Sequence, residues 1–309
     1  MIAAHADWST DPRKRWVSIA RSGTGGWRAE APRPVGDPLA LVAALLAEGR
    51  PLAFGLDLPL GVPRVYAAAA GIGFFPDFLR GLAARPGFFH VSAGLEAVAL
   101  DRPFYPARGI KGMTRASHAA ALGLAGGAAA LSRLCDRATA ERPAGAPVFW
   151  TLGANQSGKA AIAAWRDWLA PALAAGAPLR LWPFEGPIAG LLAPGSAALA
   201  EVYPAEALRH CGIRLRGSKR VTADRAAVAE AVFAAMATRR VVPSPVLAGA
   251  VRTGFGADAA GEDRFDSLIG LLGLIGVLDG LRPDFIPEDP AVRRIEGWVL
   301  GQSALPRPL

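Results

Sequence analysis

Five acidic residues occur where a carboxylate is expensive to keep, at the ends of apolar strands or at the head of an apolar helix. Asp7 closes the run Ile2 to Asp7, and Asp57 closes Pro51 to Asp57, just before Leu58-Pro59. Glu201 lies in Ala200-Glu201-Val202-Tyr203-Pro204. Asp263 and Asp266, three residues apart, open the apolar stretch that runs to Asp279, so a helix there projects both from one face. A carboxylate at the mouth of a buried element needs a partner. Carboxylates are hard oxygen ligands suited to Mg²⁺ or Mn²⁺. The chemistry this predicts is metal-assisted phosphodiester hydrolysis. Asp7 would bridge two cations roughly 4 Å apart, Asp57 and Asp266 would each complete one site, and Glu201 or Asp263 would serve as an outer ligand or orient the attacking water. Each acid also has a plainer use: a helix-dipole partner for Asp266, a turn former for Asp57, an internal ion pair with an arginine for Glu201.

The elements that must position these residues are an alternation of strands and helices. Strands are expected at Ile2–Asp7, Arg15–Ala20 and Gly26–Ala31, followed by a helix from Asp37-Pro38 to Glu48 with Gly49 ending it, and a doubly buried strand at Pro51–Asp57. Residues 62–147 interrupt this rhythm with helical stretches and the segment Arg102-Pro-Phe-Tyr-Pro106, and read as an insertion within a single domain spanning 1–309. Strands at Val148–Leu152, Leu179–Phe184 and Ala200–Tyr203 alternate with a helix at Ala160–Ala175. A helix at Ala223–Ala237, a loop over Val241–Gly261 and a buried helix at Asp263–Asp279 complete the chain. The expectation is an α/β protein with a mixed sheet flanked by helices, of the RNase H-like type, carrying a helical insertion after its fourth strand.

The pieces Asp7-Trp-Ser, Gly55-Leu-Asp-Leu-Pro-Leu-Gly61, Leu181-Trp-Pro-Phe-Glu185, Glu201-Val-Tyr-Pro204, Glu262-Asp-Arg-Phe-Asp-Ser-Leu268 and Glu296-Gly-Trp298 resemble the signature blocks of the domain-of-unknown-function 429 family, regarded as predicted RNase H-like nucleases. The blocks run from residue 7 to residue 298. The resemblance implies an RNase H-like fold with Asp7, Asp57, Glu201 and Asp266 as its acidic site.

Composition sets the partners. The 309 residues are 52% hydrophobic and 19% charged, which excludes a disordered chain, and carry a formal charge of +8. The 34 basic residues are nearly all arginine. A basic balance suits nucleic acid. Arg209, Arg214, Arg216, Lys219, Arg220 and Arg225 outweigh the single Asp224 and follow Glu201 closely, so Arg216, Lys219 and Arg220 are read as phosphate contacts. A further basic stretch, interleaved with Phe74, Phe75, Phe88, Phe89, Phe104 and Tyr105, lies between Val62 and Ala120 and could hold a single strand or anchor a small core. Gly153-Ala-Asn-Gln-Ser-Gly-Lys159 has phosphate-loop spacing, but Ala160 stands where Ser or Thr would hold Mg²⁺; Lys159 is read as a substrate-phosphate contact instead.

The remaining signals narrow the class. His5, His90, His118 and His210 have no metal-ligand spacing, no Gly-x-Ser-x-Gly elbow appears, and Cys135 and Cys211 stand apart as thiols of a reducing compartment. The start lacks a signal-peptide pattern, and the longest apolar run, Leu268–Leu278, is too short to span a bilayer, so a cytoplasmic protein without membrane contact is expected. The reading is an Mg²⁺- or Mn²⁺-dependent nuclease; the alternatives are an ATP-using phosphotransferase of the same superfamily and a non-catalytic nucleic-acid-binding module.

Overall fold

Alternation along β1 (Ile2–Asp7) decides the architecture. Ile2, Ala4 and Ala6 enter one core layer, whereas Ala3 enters a second layer on the opposite face, with His5 on the same side. The computed structural model describes residues 1–109, 112–152 and 157–307. In it the strands β1, β2 (Trp16–Gly23), β3 (Gly26–Ala29), β4 (Arg33–Pro34), β5 (Leu52–Leu56), β6 (Leu179–Leu181), β7 (Ala197–Glu201) and β8 (Val241–Pro243) form one mixed sheet. Its order is β6-β7-β5-β1-β2-β3-β8, with β4 also on β2. β2 runs antiparallel to β1, and β3 and β4 antiparallel to β2; β5, β7 and β6 continue in parallel on the other side of β1, and β8 pairs parallel with β3.

Helices cover both faces. One layer packs Leu52, Phe54 and Leu56 of β5 against Trp165, Trp168 and Leu169, which lie in a helical run from Ser157 to Ala174 that widens into a π turn at Trp165–Leu169. The other layer carries small residues, Ala3, Ala20, Ala53, Ala198 and Ala200, beneath the long helix Gly261–Leu278. Small side chains on the sheet and glycines on the helix let the two come close. A Cβ on Gly270 would lie 2.1 Å from His5 Cε1, and one on Gly55 would lie 2.9 Å from His5 Cδ2, so the buried imidazole fills the gap between two glycines. His5 then ties three elements together: Nε2 lies 3.0 Å from the Val202 carbonyl after β7, and Nδ1 lies 3.2 Å from the Ser267 carbonyl of the long helix. Ser18 of β2 adds a hydroxyl contact of 2.9 Å to Ser267. Burial drives the His5 imidazole down to about 4, so it is neutral and structural.

Three local expectations are corrected. Val148–Leu152 is not a sheet strand; it opens on a turn, with Trp150 N donating to Pro147 O, and then bonds to the Tyr105–Pro106 segment through Phe149 O, Thr151 N and the Thr151 hydroxyl. The span 241–261 is not a loop. It holds β8 and a helix, Pro245–Arg252, whose Ser244 cap accepts a hydrogen bond from Leu247 N with Pro245 in the first turn. The expected helix over Ala223–Ala237 is divided into Thr222–Ala226 and Ala229–Thr238. Among the described residues no helix is long and apolar enough to cross a membrane.

Candidate active site

The parallel pairing of β1 with β5 places the ends of both strands side by side, and Asp57 N donates to Ala6 O at 3.1 Å. Asp7 and Asp57 therefore emerge together, both half-buried, close enough for each to shift the other's proton affinity. The long helix crosses beneath β1, and its first turns bring Asp263 and Asp266 to the same place. Lys219, from the segment after the helix Pro204–His210, reaches in and donates to Asp266 Oδ2.

The electrostatics record this convergence. Asp7 is held well above the usual carboxylate range, first by burial and then by Asp57, Asp266 and Asp263. Asp57 is pushed up to about 7 by burial and by Asp266, against the pull of Lys219 and of its neighbour Asp7. Asp263 is raised to about 6 by burial and Glu262. Asp266, only 6% exposed, is raised by burial and held back by Lys219. Asp266 Oδ1 and Asp263 Oδ2 are buried without a hydrogen-bond partner. Hard oxygens, desolvated, mutually repelling and partly orphaned, are the donor type a divalent cation takes, and one or two such carboxylates with water can hold it. The acids form a spread floor. Among the described residues, the set of three ligand atoms within 4.8 Å of one another is Cys135, Asp136 and Glu201.

That tighter set is already filled by an arginine. Arg133 is fully buried and donates to Asp136 Oδ2 and Oδ1 at 3.0 and 2.9 Å, and to Glu201 Oε2 and Oε1 at 2.7 and 2.8 Å. Glu201 Oε2 also accepts from Leu60 N at 2.8 Å. The pleat explains why Glu201 stands apart from the aspartates. It pairs with Leu56 in the register of β5 and β7, so it shares the face of Leu56 and Ala6, opposite the long helix. Of the five acids expected to meet, Asp57, Asp263 and Asp266 lie within electrostatic range of Asp7, without three ligand atoms within 4.8 Å of one another, and Glu201 is seated in an ion pair, near enough to raise Asp57.

A cleft of about 400 Å³ is bordered by Asp57 and Lys219. Trp8, Arg142, Glu206 and Arg209 also line it. Trp8 is stacked on Trp168 with centroids 5.3 Å apart, and the Arg15 guanidinium lies 4.6 Å over its ring. Glu206 is buried against Arg142, Arg209 and His210; the Arg142 contact is a close ion pair without hydrogen-bond geometry. Of the expected phosphate contacts, Lys219 is inside the site. Arg216 is exposed, and Arg220 is also exposed, 3.8 Å from Glu262. The stretch Gly153–Gln156 of the phosphate-loop-like motif lies outside the described residues, as does Lys111; Lys159 is half-buried on the helix that begins at Ser157, whose Ser157 and Ala160 line the cleft.

Sequence reasoning missed Arg133, Asp136 and Glu206. Arg133 and Asp136 stand at i and i+3, a spacing that signals an ion pair but not where it docks. Comparison with protein-family models, with curated proteins and with solved structures finds no match for this chain.

Proposed function

We propose that the chain is a divalent-cation-dependent phosphodiesterase acting on nucleic acid, built on an RNase H-like core with residues 62–147 as an insertion. The observation that carries this reading is the meeting of Asp7, Asp57, Asp263 and Asp266, acids far apart in the chain, with a buried oxygen of Asp266 left unpartnered. The opening sequence of three antiparallel strands, a helix and a parallel strand beside β1 supports the RNase H-like assignment. Asp7, Asp57 and Asp266 would hold Mg²⁺ or Mn²⁺, which supplies activation of water and stabilisation of the leaving oxygen when bound. Asp263, near neutral in its proton affinity, is suited to accept a proton from the attacking water. Trp8, Lys219 and Arg209 line the cleft with Asp57, and Arg214, Arg216 and Arg220 are exposed on the segment that carries Lys219, so phosphates are offered a cationic approach.

The test is hydrolysis of labelled single-stranded and duplex DNA and RNA by the purified chain. Cleavage is expected with Mn²⁺ or Mg²⁺ and is expected to stop on chelation by EDTA. Binding of the oligonucleotides without turnover would replace the enzyme with a binding module, and turnover of ATP in place of oligonucleotide would replace it with a phosphotransferase.

A further inference from the structure

Four lysines, Lys14, Lys111, Lys159 and Lys219, stand among the 34 basic residues of this chain, and one of them is in the acidic floor. Elsewhere the buried acids are matched by arginine: Glu201 and Asp136 by Arg133, Glu296 by Arg64, Glu206 by Arg142. An arginine fork locks planar carboxylates into fixed pairs, whereas an ammonium is a compact point charge. At the floor the chain places the point charge, where the resemblance to a cation is greatest.

The segment that delivers it is built. Arg225, 2% exposed, donates from Nη1 to the Lys219 carbonyl, from Nε to Gly254 O at 2.7 Å and from Nη2 to Gly256 O at 2.7 Å. Gly261 makes room for it, since a Cβ there would lie 2.3 Å from Arg225 Nη2. Two residues before the lysine, Gly217 has φ +127°, and a Cβ there would lie 2.3 Å from Asp224 Oδ2, the same oxygen that accepts from Ser218 N at 2.8 Å. Lys219 is thus fixed at its backbone, and its ammonium meets Asp266 and the field of Asp57 and Glu262. It also lines the cleft, whereas Asp266 does not. Lys219 stands between the two.

We infer that Lys219 is a resident cation of the site, occupying by its ammonium the place of one of the two divalent ions, so that the wild-type floor takes a single ion on Asp7 and Asp57 and the Asp266 side opens only when the lysine is removed. The inference rests on the cation-dependent reading of the floor and sharpens it to one ion assisted by a fixed ammonium.

Mn²⁺ binding by the full chain tests it, measured by calorimetric titration and by the loss of the free-ion electron paramagnetic signal. Wild type is expected to bind one Mn²⁺ per chain and Lys219→Met two, with thermal unfolding of each protein confirming that it is folded. Two ions on wild type would overturn the inference with no variant needed, because the ammonium would then exclude nothing. One ion on both proteins would overturn it as well, leaving the lysine as an ordinary partner of Asp266. No ion on either would instead remove the cation-dependent reading itself.

Discussion

Asp7→Asn is expected to abolish cation-dependent hydrolysis, by about 10²–10³-fold or more, the scale on which a single preorganised electrostatic group acts, while making the metal-free protein more stable at neutral pH. The two effects have one origin. Asp7 sits against Asp57, Asp263 and Asp266 in a desolvated pocket and is raised well above its ordinary range. A carboxyl whose folded value is raised contributes its full stability below the unfolded value, near 4, and loses it as pH climbs through the folded value. With Asp263 at about 6 and Asp57 at about 7, the metal-free protein should lose stability progressively from about pH 4 to about pH 7. Asparagine keeps the shape and removes one of the charges that the others repel. Urea unfolding in EDTA across that range should therefore give a flatter profile for Asp7→Asn, with a higher midpoint than wild type at the upper end. A variant that loses activity and stability together would mean that Asp7 is structural, and one that keeps full activity would remove it from the site.

Arg133→Met is expected to lower the unfolding free energy by about 3–5 kcal/mol, the cost of stripping a buried ion pair of one member. The charge count decides which substitution is worse. Arg133 is matched by two carboxylates, Asp136 and Glu201, all three buried. Removing the arginine leaves both acids without a counter-charge. Glu201→Gln leaves the Arg133–Asp136 pair intact and weakens only hydrogen bonds, for about 1–3 kcal/mol. Arg133 also donates to the carbonyls of Leu60 and Glu296, at 3.3 and 3.2 Å, so it links the 62–147 segment to both β7 and the C-terminal turn. Equilibrium unfolding of the two variants checks the asymmetry; equal losses would contradict it. Hydrolysis by Glu201→Gln should survive far better than by Asp7→Asn, since both Glu201 oxygens are engaged by Arg133.

What could be read from the chain was what local pattern controls. The apolar runs ending at Asp7 and Asp57 and the carboxylates opening the last long helix are visible because each is a charge interrupting a buried period, and Asp57, Asp263 and Asp266 lie within electrostatic range of Asp7. Glu201 looked equivalent because it too sits at a strand end. Its face depends on the parity of β7, which is set by register with β5 and not by anything in Ala200-Glu201-Val202. Gly270 was legible only as a break in an apolar run; that it admits the His5 ring requires knowing that the helix crosses β1. Ser244-Pro245 carried a legible helix start inside a span read as a loop. Lys219 was visible as one cation in a basic cluster, but its turn inward depends on Arg225 and on the bend at Gly217.

The central claim is that the aspartates form a cation site, and Mn²⁺ titration near pH 6 in buffers of different ionisation enthalpy tests it most directly. Asp7, Asp57 and Asp263 all have raised proton affinities, so an ion arriving near pH 6 must displace protons. The account predicts saturable binding to wild type accompanied by proton release, both lost in Asp7→Asn. Absence of binding, or binding with no proton release that Asp7→Asn leaves unchanged, would contradict it.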